Sequence, residues 1–487
     1  MMHNDKKGSP QNARLPMSLL RSIFFRALNL LRQLFPGVPI ARHDEPSLCV
    51  LPWSHLNLKI DGSVQLCCQG PHLKDIDGNP MTVYEHSLGD IWNSADMRAI
   101  RSAMVSGDRV EGCRKCWEVE DRGGFSRRMH ANYLFLKEGK SMRQLKSGTV
   151  RDSFHCHPSP CDYQLDLGNT CNLMCRTCSS QYSSRIAADP VRRRWESVSF
   201  RAGKWSGNND TTDYTPGDAE VRPVRSRFTS NLPWYEDHDF LFGELLVHPK
   251  HISGLQIIGG EPMVTRQLAP IIIHIASKGV PKRVTLHLTT NGTIFDSSLF
   301  NIMAGFRKLH ISISIDGIGE YFEYIRYPGK WADILEHLDS YIKARNVKLS
   351  ILPTFHIYNA LHITDLFRFC DDRNLRLIFN TLWTPRFLAA SVLPPKARSV
   401  AIDRLKKYAA VTRVHAHRQL AETLAQELEE KGDCIDRELI RQFMLFTNDL
   451  DSSRHKRFKD IYGETIDLMA EDGIQWSDET LYLPSKG

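Results

Sequence analysis

Apolar positions in the middle of the chain come in short β-rich runs. They are YQLDLGN (163–169), GLQIIGGEP (254–262), RVTLHLTTNG (283–292), KLHISISIDG (308–317), VKLSILPTF (347–355) and RLIFNTL (376–382). Stretches with helical spacing, such as 267–278 and 331–345, separate them. Strands alternating with helices specify βα units and a parallel sheet. Six such strands predict an α/β fold, an incomplete (β/α)6 TIM-like barrel over 160–395, with ligands expected at the carboxyl ends of its strands.

Outside this region the pattern changes. Residues 54–66 alternate partly around Asp61-Gly62, which reads as a β-hairpin. Ile91, Trp92, Met97, Ile100 and Met104 give 88–105 a helical period. With CRKC at 113–116, these predict a small cysteine-rich α+β domain over 46–150. Residues 190–233, rich in Gly, Asn, Asp and Thr, read as a polar loop inserted in the barrel, either a lid or binding element or an inert insertion. The chain from 396 to 487 reads as a helical extension, helical through about 430. FTNDLDSSR (446–454) suggests no mechanism.

The N-terminal arm, 1–45, is basic and amphipathic. Leu20, Phe24, Ala27, Leu28, Leu31 and Phe35 fall at helical spacing, interrupted by Arg21, Arg26 and Arg32. Its apolar runs are too short for a secretory signal. Such a helix either lies on a membrane surface, docks a partner, or packs on the protein's own body.

Composition narrows the class. The chain has 487 residues, 41% hydrophobic and 24% charged, as in ordinary globular proteins. The net charge is +7. Residues 1–44 hold seven Lys or Arg against Asp5 and Asp44, an excess of five. The remainder is near balance, so no nucleic-acid partner is expected. No run of eighteen apolar residues occurs, which excludes an ordinary helical membrane span. Twelve clustered cysteines point to metal or iron–sulfur ligation in a reducing compartment, and so to a cytoplasmic protein.

The candidate chemistry begins at CNLMCRTC, where Cys171, Cys175 and Cys178 follow the first barrel strand. Soft thiolates select zinc or iron–sulfur iron. Three ligands to a four-iron cluster leave one iron open, whereas a closed electron-transfer cluster normally takes four cysteines.

CNLMCRTC after LDLGNT, then GGEP (259–262), TTNGT (289–293) and SISIDG (312–317), resemble in order and placement the motif series of the radical S-adenosylmethionine (AdoMet) enzymes. The resemblance implies a partial (β/α)6 barrel and a 4Fe–4S cluster on Cys171, Cys175 and Cys178, whose open iron chelates AdoMet. One electron, from a flavodoxin or ferredoxin, cleaves the sulfonium bond. The resulting 5′-deoxyadenosyl radical abstracts hydrogen from substrate. Carried over by motif, Gly259, Gly260 and Glu261 lie along the methionine amino group. Ser314 and Arg326 meet the AdoMet carboxylate, and Asn291 marks a strand end near the nucleoside. Many members place an aromatic residue before the last cysteine; Thr177 stands there in this chain.

A second set, Cys49, Cys67, Cys113 and Cys116, resembles the first part of the auxiliary-cluster domain called SPASM. DIWNSADMRAIRSAM and CRKCWEVEDRGGFSRR fit the same pattern. The cysteines of its second half are missing, which matches the shortened twitch form with one auxiliary 4Fe–4S cluster. Here the domain precedes the barrel. A four-cysteine zinc site is the alternative, and Cys67 and Cys68 compete for one position. Four ligands leave no open iron, which favours electron transfer over substrate binding. Family members with such domains often act on peptides or proteins, so a peptide or protein substrate is expected. The alternatives are a small molecule (a nucleotide, sugar or cofactor precursor) and a non-catalytic iron–sulfur binding or regulatory protein.

Cys156 and Cys161 read either as an extra ligand or redox pair or as incidental, and Cys370 and Cys434 as buried apolar thiols. Trp383 and Arg386 either face substrate at the barrel mouth or pack against the C-terminal helices.

Overall fold

The computed structural model describes residues 47–121, 124–157, 159–201, 226–344 and 346–482. The N-terminal arm, residues 1–45, lies outside the described residues, as does 202–225, the larger part of the expected insertion. Among the described residues no helix is long and apolar enough to cross a membrane.

The six expected barrel strands form: β3 (Asp162–Asp166), β4 (Gly254–Ile258), β5 (Thr285–Thr290), β6 (Lys308–Ile313), β7 (Val347–Ile351) and β9 (Arg376–Leu377). Each pairs in parallel with the next. Pro353, which has no N–H for a ladder, follows β7. Beyond it β8 (Thr354–Phe355) pairs with β10 (Asn380–Thr381) as a separate parallel ladder. Helices Leu268–Ser277, Ser297–Ala304 and Trp331–Ile342 fall in the connections. The side chain of Asp296 caps the second, accepting from the Leu299 amide at 3.0 Å. Leu165, Leu255, Ile257, Leu286, Leu288, Leu309, Ile311, Ile313 and Ile351 are buried on the strands, and Ile271, Ile275, Met303, Ile334 and Leu338 on the helices. The core therefore sits within and around the parallel sheet.

A further strand joins this sheet from the amino-terminal side. The expected hairpin is β1 (His55–Leu58) and β2 (Val64–Gln65), turned through Gly62 at φ +80°. β1 also pairs in parallel with β3, from His55 opposite Asp162 to Leu58 opposite Leu165. The sheet thus runs β2-β1-β3-β4-β5-β6-β7-β9. The chain divides into two compact units. One comprises the described residues of 1–50 and 102–151; the other comprises 51–101 and 152–487. This division differs from the expected boundary near 160, because main-chain pairing binds the hairpin to the barrel.

In the first unit, helices Arg114–Asp121, Arg127–Lys137 and Met142–Arg151 follow one another. Arg128 pairs with Glu120 and donates to the Leu48 carbonyl at 2.9 Å. The 88–105 helix is two, Leu88–Trp92 and Ala95–Ser106, separated at Asn93-Ser94. Residues 190–201, expected in the polar loop, instead form helix Pro190–Arg201, with proline at its permissive first position. Helices Pro395–Val411, His415–Glu429, Arg437–Arg454, Phe458–Ile461 and Gly463–Glu471 make the C-terminal extension, which continues well past 430. Cys370 is fully buried as expected, but Cys434 is exposed in the loop before Arg437, a correction to its reading as a core thiol.

Candidate active site at the barrel mouth

β3 ends at Asp166, and the chain turns through Gly168 (φ +77°) into the cysteine loop. The carboxyl end of β4 runs alongside. Leu167 N–H donates to the Ile258 carbonyl at 2.9 Å, Gly260 N–H to Gly168 at 2.8 Å and Glu261 N–H to Thr170 at 2.8 Å. GGEP is thereby stitched to the first residues of the cysteine loop. A Cβ at Gly260 would lie 2.3 Å from the Thr170 carbonyl oxygen, and one at Gly259 (φ +140°) 2.8 Å from that of Gly168. Here glycine lets two backbones touch.

Glu261 is fully buried. Its carboxylate accepts from the Met263 amide (3.0 Å), the Thr290 hydroxyl (2.7 Å) and the Asn291 amide (2.5 Å). Burial raises its pKa against those three bonds. The side chain therefore braces GGEP to the end of β5, and one of its oxygens already carries two donors. Asn291 Nδ2 donates to Asn172 Oδ1 at 2.9 Å, and Asn172 Nδ2 donates to the Thr293 hydroxyl at 2.7 Å. The expected nucleoside-side strand end is thus tied to the cysteine loop.

Cys171, Cys175 and Cys178 are half-buried on this one loop. Burial and the neighbouring cysteines raise Cys171 to about 11 and Cys178 to about 12, and burial raises Cys175 against the nearby Arg326. Among the described residues no three His, Cys, Asp or Glu side chains form a group that could hold a single metal ion. Ligands to a four-iron cluster bind separate irons and need not converge on one point, so the donor set fits a cluster.

Arg326, expected at the AdoMet carboxylate, pairs through Nε with buried Asp316 at 2.8 Å, and its Nη1 lies 4.0 Å from Cys175 Sγ. Burial alone would raise Asp316. Arg326, His356 and the Thr354 amide outweigh it and hold the carboxyl below the ordinary range. Ser314, also expected there, follows β6 half-buried, its amide donating to the Thr290 carbonyl at 2.8 Å. Lys59, just after β1, pairs with fully buried Asp166, and its Nζ reaches the Tyr182 hydroxyl at 3.4 Å. The amino-terminal strand therefore brings a cation to the mouth, which local sequence patterns did not reveal.

Behind the cysteine loop lies a layer of charge that the motifs did not predict. Arg176, fully buried, pairs with Asp451 and stacks 3.6 Å from the Tyr324 ring centre. Arg192 donates to the carbonyls of Arg176 (2.8 Å) and Cys178. Met174 and Arg176 amides bond to the Tyr327 and Ile325 carbonyls at 2.6 and 2.9 Å. The available signal was the run of polar residues in helix Arg437–Arg454, where Asp449, Asp451 and Arg454 are all buried.

Among the auxiliary cysteines, Cys49, Cys113 and Cys116 are buried in the first unit. Cys67 is buried in the second, whereas Cys68 is exposed. Gly70 closes over Cys67, its amide bonding to the Cys67 carbonyl at 3.0 Å. Cys156 and Cys161 are half-buried; burial raises Cys156, with Arg101 opposing. Trp383 is 61% exposed and, with Phe355, Thr381 and Glu427, lines a small surface pocket.

Residues 49–117 match the SPASM family, an iron–sulfur cluster-binding domain. This matched segment precedes a partial parallel α/β barrel that carries a three-cysteine loop at its mouth. No curated protein matches the chain. Solved structures with partial likeness include native anSMEcpe with bound AdoMet and Cp18Cys peptide, at 19% identity and TM-score 0.27, covering 32% of this chain and 45% of that one. Streptococcus suis SuiB bound to precursor peptide SuiA is similar at 11% identity and TM-score 0.31, over 70% of this chain and 65% of that one. SuiB bound to S-adenosylmethionine aligns at 12% identity and TM-score 0.29, over 49% and 44%.

Proposed function

We propose that this chain is a radical AdoMet enzyme that acts on a peptide or protein. The observation that carries the reading is the cysteine loop itself. Cys171, Cys175 and Cys178 stand half-exposed at the end of the first barrel strand, and GGEP, TTNGT and Arg326 close around them. A cluster held there would supply the single electron for reductive cleavage of the AdoMet sulfonium bond.

The protein's own residues hold and enclose. The three cysteines would hold the cluster. Gly259, Gly260, Asn291, Ser314 and Arg326 would hold AdoMet, with Glu261 fixing the shape of that wall rather than reaching into it. Asp316 keeps Arg326 charged and oriented; a guanidinium so fixed suits a carboxylate. Cys49, Cys67, Cys113 and Cys116 would hold the auxiliary cluster, whose four ligands suit it to carry away an electron after hydrogen abstraction. The peptide or protein substrate rests on the company that SPASM and twitch domains keep.

The test is AdoMet cleavage. Protein reconstituted anaerobically with iron and sulfide receives AdoMet and dithionite, and 5′-deoxyadenosine is quantified by mass-detected chromatography. Product from wild type, absent in Cys171→Ala/Cys175→Ala/Cys178→Ala, is expected. Loaded wild type that makes none, with or without candidate peptides, refutes it.

A further inference from the structure

Alternation along the strands puts leucine and isoleucine on one face of the sheet and polar residues on the other. Ile313 of β6 faces the helices: a Cβ at Gly292 would lie 2.6 Å from Ile313 and 3.3 Å from Ile334 of helix Trp331–Ile342. The alternate positions of β6, His310 among them, therefore face the barrel interior. Register sets His310 beside His287 of β5, then Gln256 of β4, Gln164 of β3 and Asn57 of β1. One whole layer of the interior is made of amides and imidazoles, where a barrel ordinarily packs Val, Ile and Leu. The Lys59–Asp166 pair stands next to it on the side of the mouth.

Asn57 is fully buried and Gln164 is 2% exposed. Their amide nitrogens have acceptors: Gln164 Nε2 lies 3.5 Å from Asp166 Oδ1, and Asn57 Nδ2 donates to Gln65 Oε1 at 3.1 Å. Asn57 Oδ1, Gln164 Oε1 and His310 Nε2 have no hydrogen-bond partner among the described residues. Buried polar atoms are ordinarily satisfied, so these three point to a ligand. The layer bears no carboxylate. The His310 and His287 ring centres are 4.4 Å apart, and burial, with His287 and Lys348 adding to it, lowers His310 to about 4, so its ring is neutral near pH 7. A ligand carboxylate would meet two acceptor oxygens, and an ammonium would find Asp166 already paired with Lys59. A hydroxyl has one donor for two oxygens. A primary carboxamide fits. Its –NH2 donates twice, to acceptors about 5 Å apart at ordinary bond lengths, and adjacent strands lie about 4.8 Å apart. Its oxygen is left to accept from a neutral imidazole or from the Gln256 amide.

We infer that this layer is the floor of the substrate site and that it selects an asparagine or glutamine side chain on the peptide or protein acted upon. The inference rests on the proposed radical AdoMet reading and adds to it the chemical class of the recognised group.

The test uses full-length protein, reconstituted anaerobically with iron and sulfide, supplied with AdoMet and immobilised. It is panned against a peptide library randomised at five positions with free carboxyl ends, so that the primary carboxamides present are Asn and Gln side chains. Bound peptides are sequenced by mass spectrometry. Wild type enriches Asn or Gln over Asp or Glu at one position by about tenfold or more, the worth of one unpaired polar group. Gln164→Met loses that preference. Asn57→Asp turns it toward Lys and Arg, a swap that a merely structural role would not produce. Enrichment is a ratio between residues, so it does not depend on the yield of folded protein. Wild type that cleaves AdoMet but shows no carboxamide preference has a hydrated floor only and overturns the inference alone, as does a preference left unchanged in both variants. Iron-loaded wild type that cleaves no AdoMet overturns the underlying reading with it.

Discussion

Gly260→Ala tests whether the mouth is assembled by backbone contact. The added Cβ would meet three main-chain atoms: the Thr170 oxygen at 2.3 Å, the Asn169 carbon at 2.6 Å and the Asn169 oxygen at 2.7 Å. No side-chain rotation relieves such a clash, so the β4 end and the cysteine loop must part by roughly 1 Å. The bonds from Gly260 N–H to Gly168 and from Glu261 N–H to Thr170, both 2.8 Å, then stretch beyond useful length. Two lost bonds cost about 1 kcal/mol each, and overpacking adds about 1–3 kcal/mol. The expected loss is about 3–5 kcal/mol, a large share of a typical domain's 5–15 kcal/mol. Urea unfolding of the metal-free protein reads the stability, and iron and sulfide per chain read the site; both fall. Gly148→Ala is the control. It lies in helix Met142–Arg151 with nothing within 4 Å of its added Cβ, and gains about 0.5–1 kcal/mol. A Gly260→Ala protein within about 0.5 kcal/mol of wild type, and equally loaded with iron, would refute the reasoning.

The remaining predictions concern charge and ligation. Asp316 titrates in the folded protein below the ordinary carboxylate range, so its stabilisation is complete above about pH 4 and is lost as pH falls toward the folded value. Melting temperature against pH should show that acid loss in wild type. Asp316→Asn lacks this component and is less stable at neutral pH by about 3–5 kcal/mol, because Arg326 is left buried and uncompensated. Arg176→Met strands Asp451 and costs a similar amount, about 3–5 kcal/mol by denaturant unfolding; a neutral result would mean Asp451 finds another partner. Cys67→Ala, by iron analysis, loses the auxiliary iron, whereas Cys68→Ala keeps it, since Cys67 is buried and Cys68 exposed.

Periodicity and turn chemistry marked out all six barrel strands, the hairpin at Gly62 and the order of the motifs, because a strand's pattern and a glycine's positive φ are local properties. The spacing of Cys171, Cys175 and Cys178 likewise carries the proposed cluster ligation within eight residues. What lay beyond local reach was pairing across sequence distance. β1 joins β3 more than a hundred residues away, and nothing in HLNL distinguishes a hairpin strand from one that also extends a barrel. Glu261 belongs to a recognisable motif, yet only the fold shows its carboxylate spent on Thr290, Met263 and Asn291. Cys434 shares a helix-like neighbourhood with Cys370, but one is exposed and the other buried, a difference made by what packs on each. Arg454 is the extreme case. In sequence it is one cation among many on a polar helix; only in the folded chain is its guanidinium buried without a hydrogen-bond partner among the described residues. Local chemistry is written in adjacent residues, whereas the balance of buried charge is settled only by which distant groups the tertiary structure brings together.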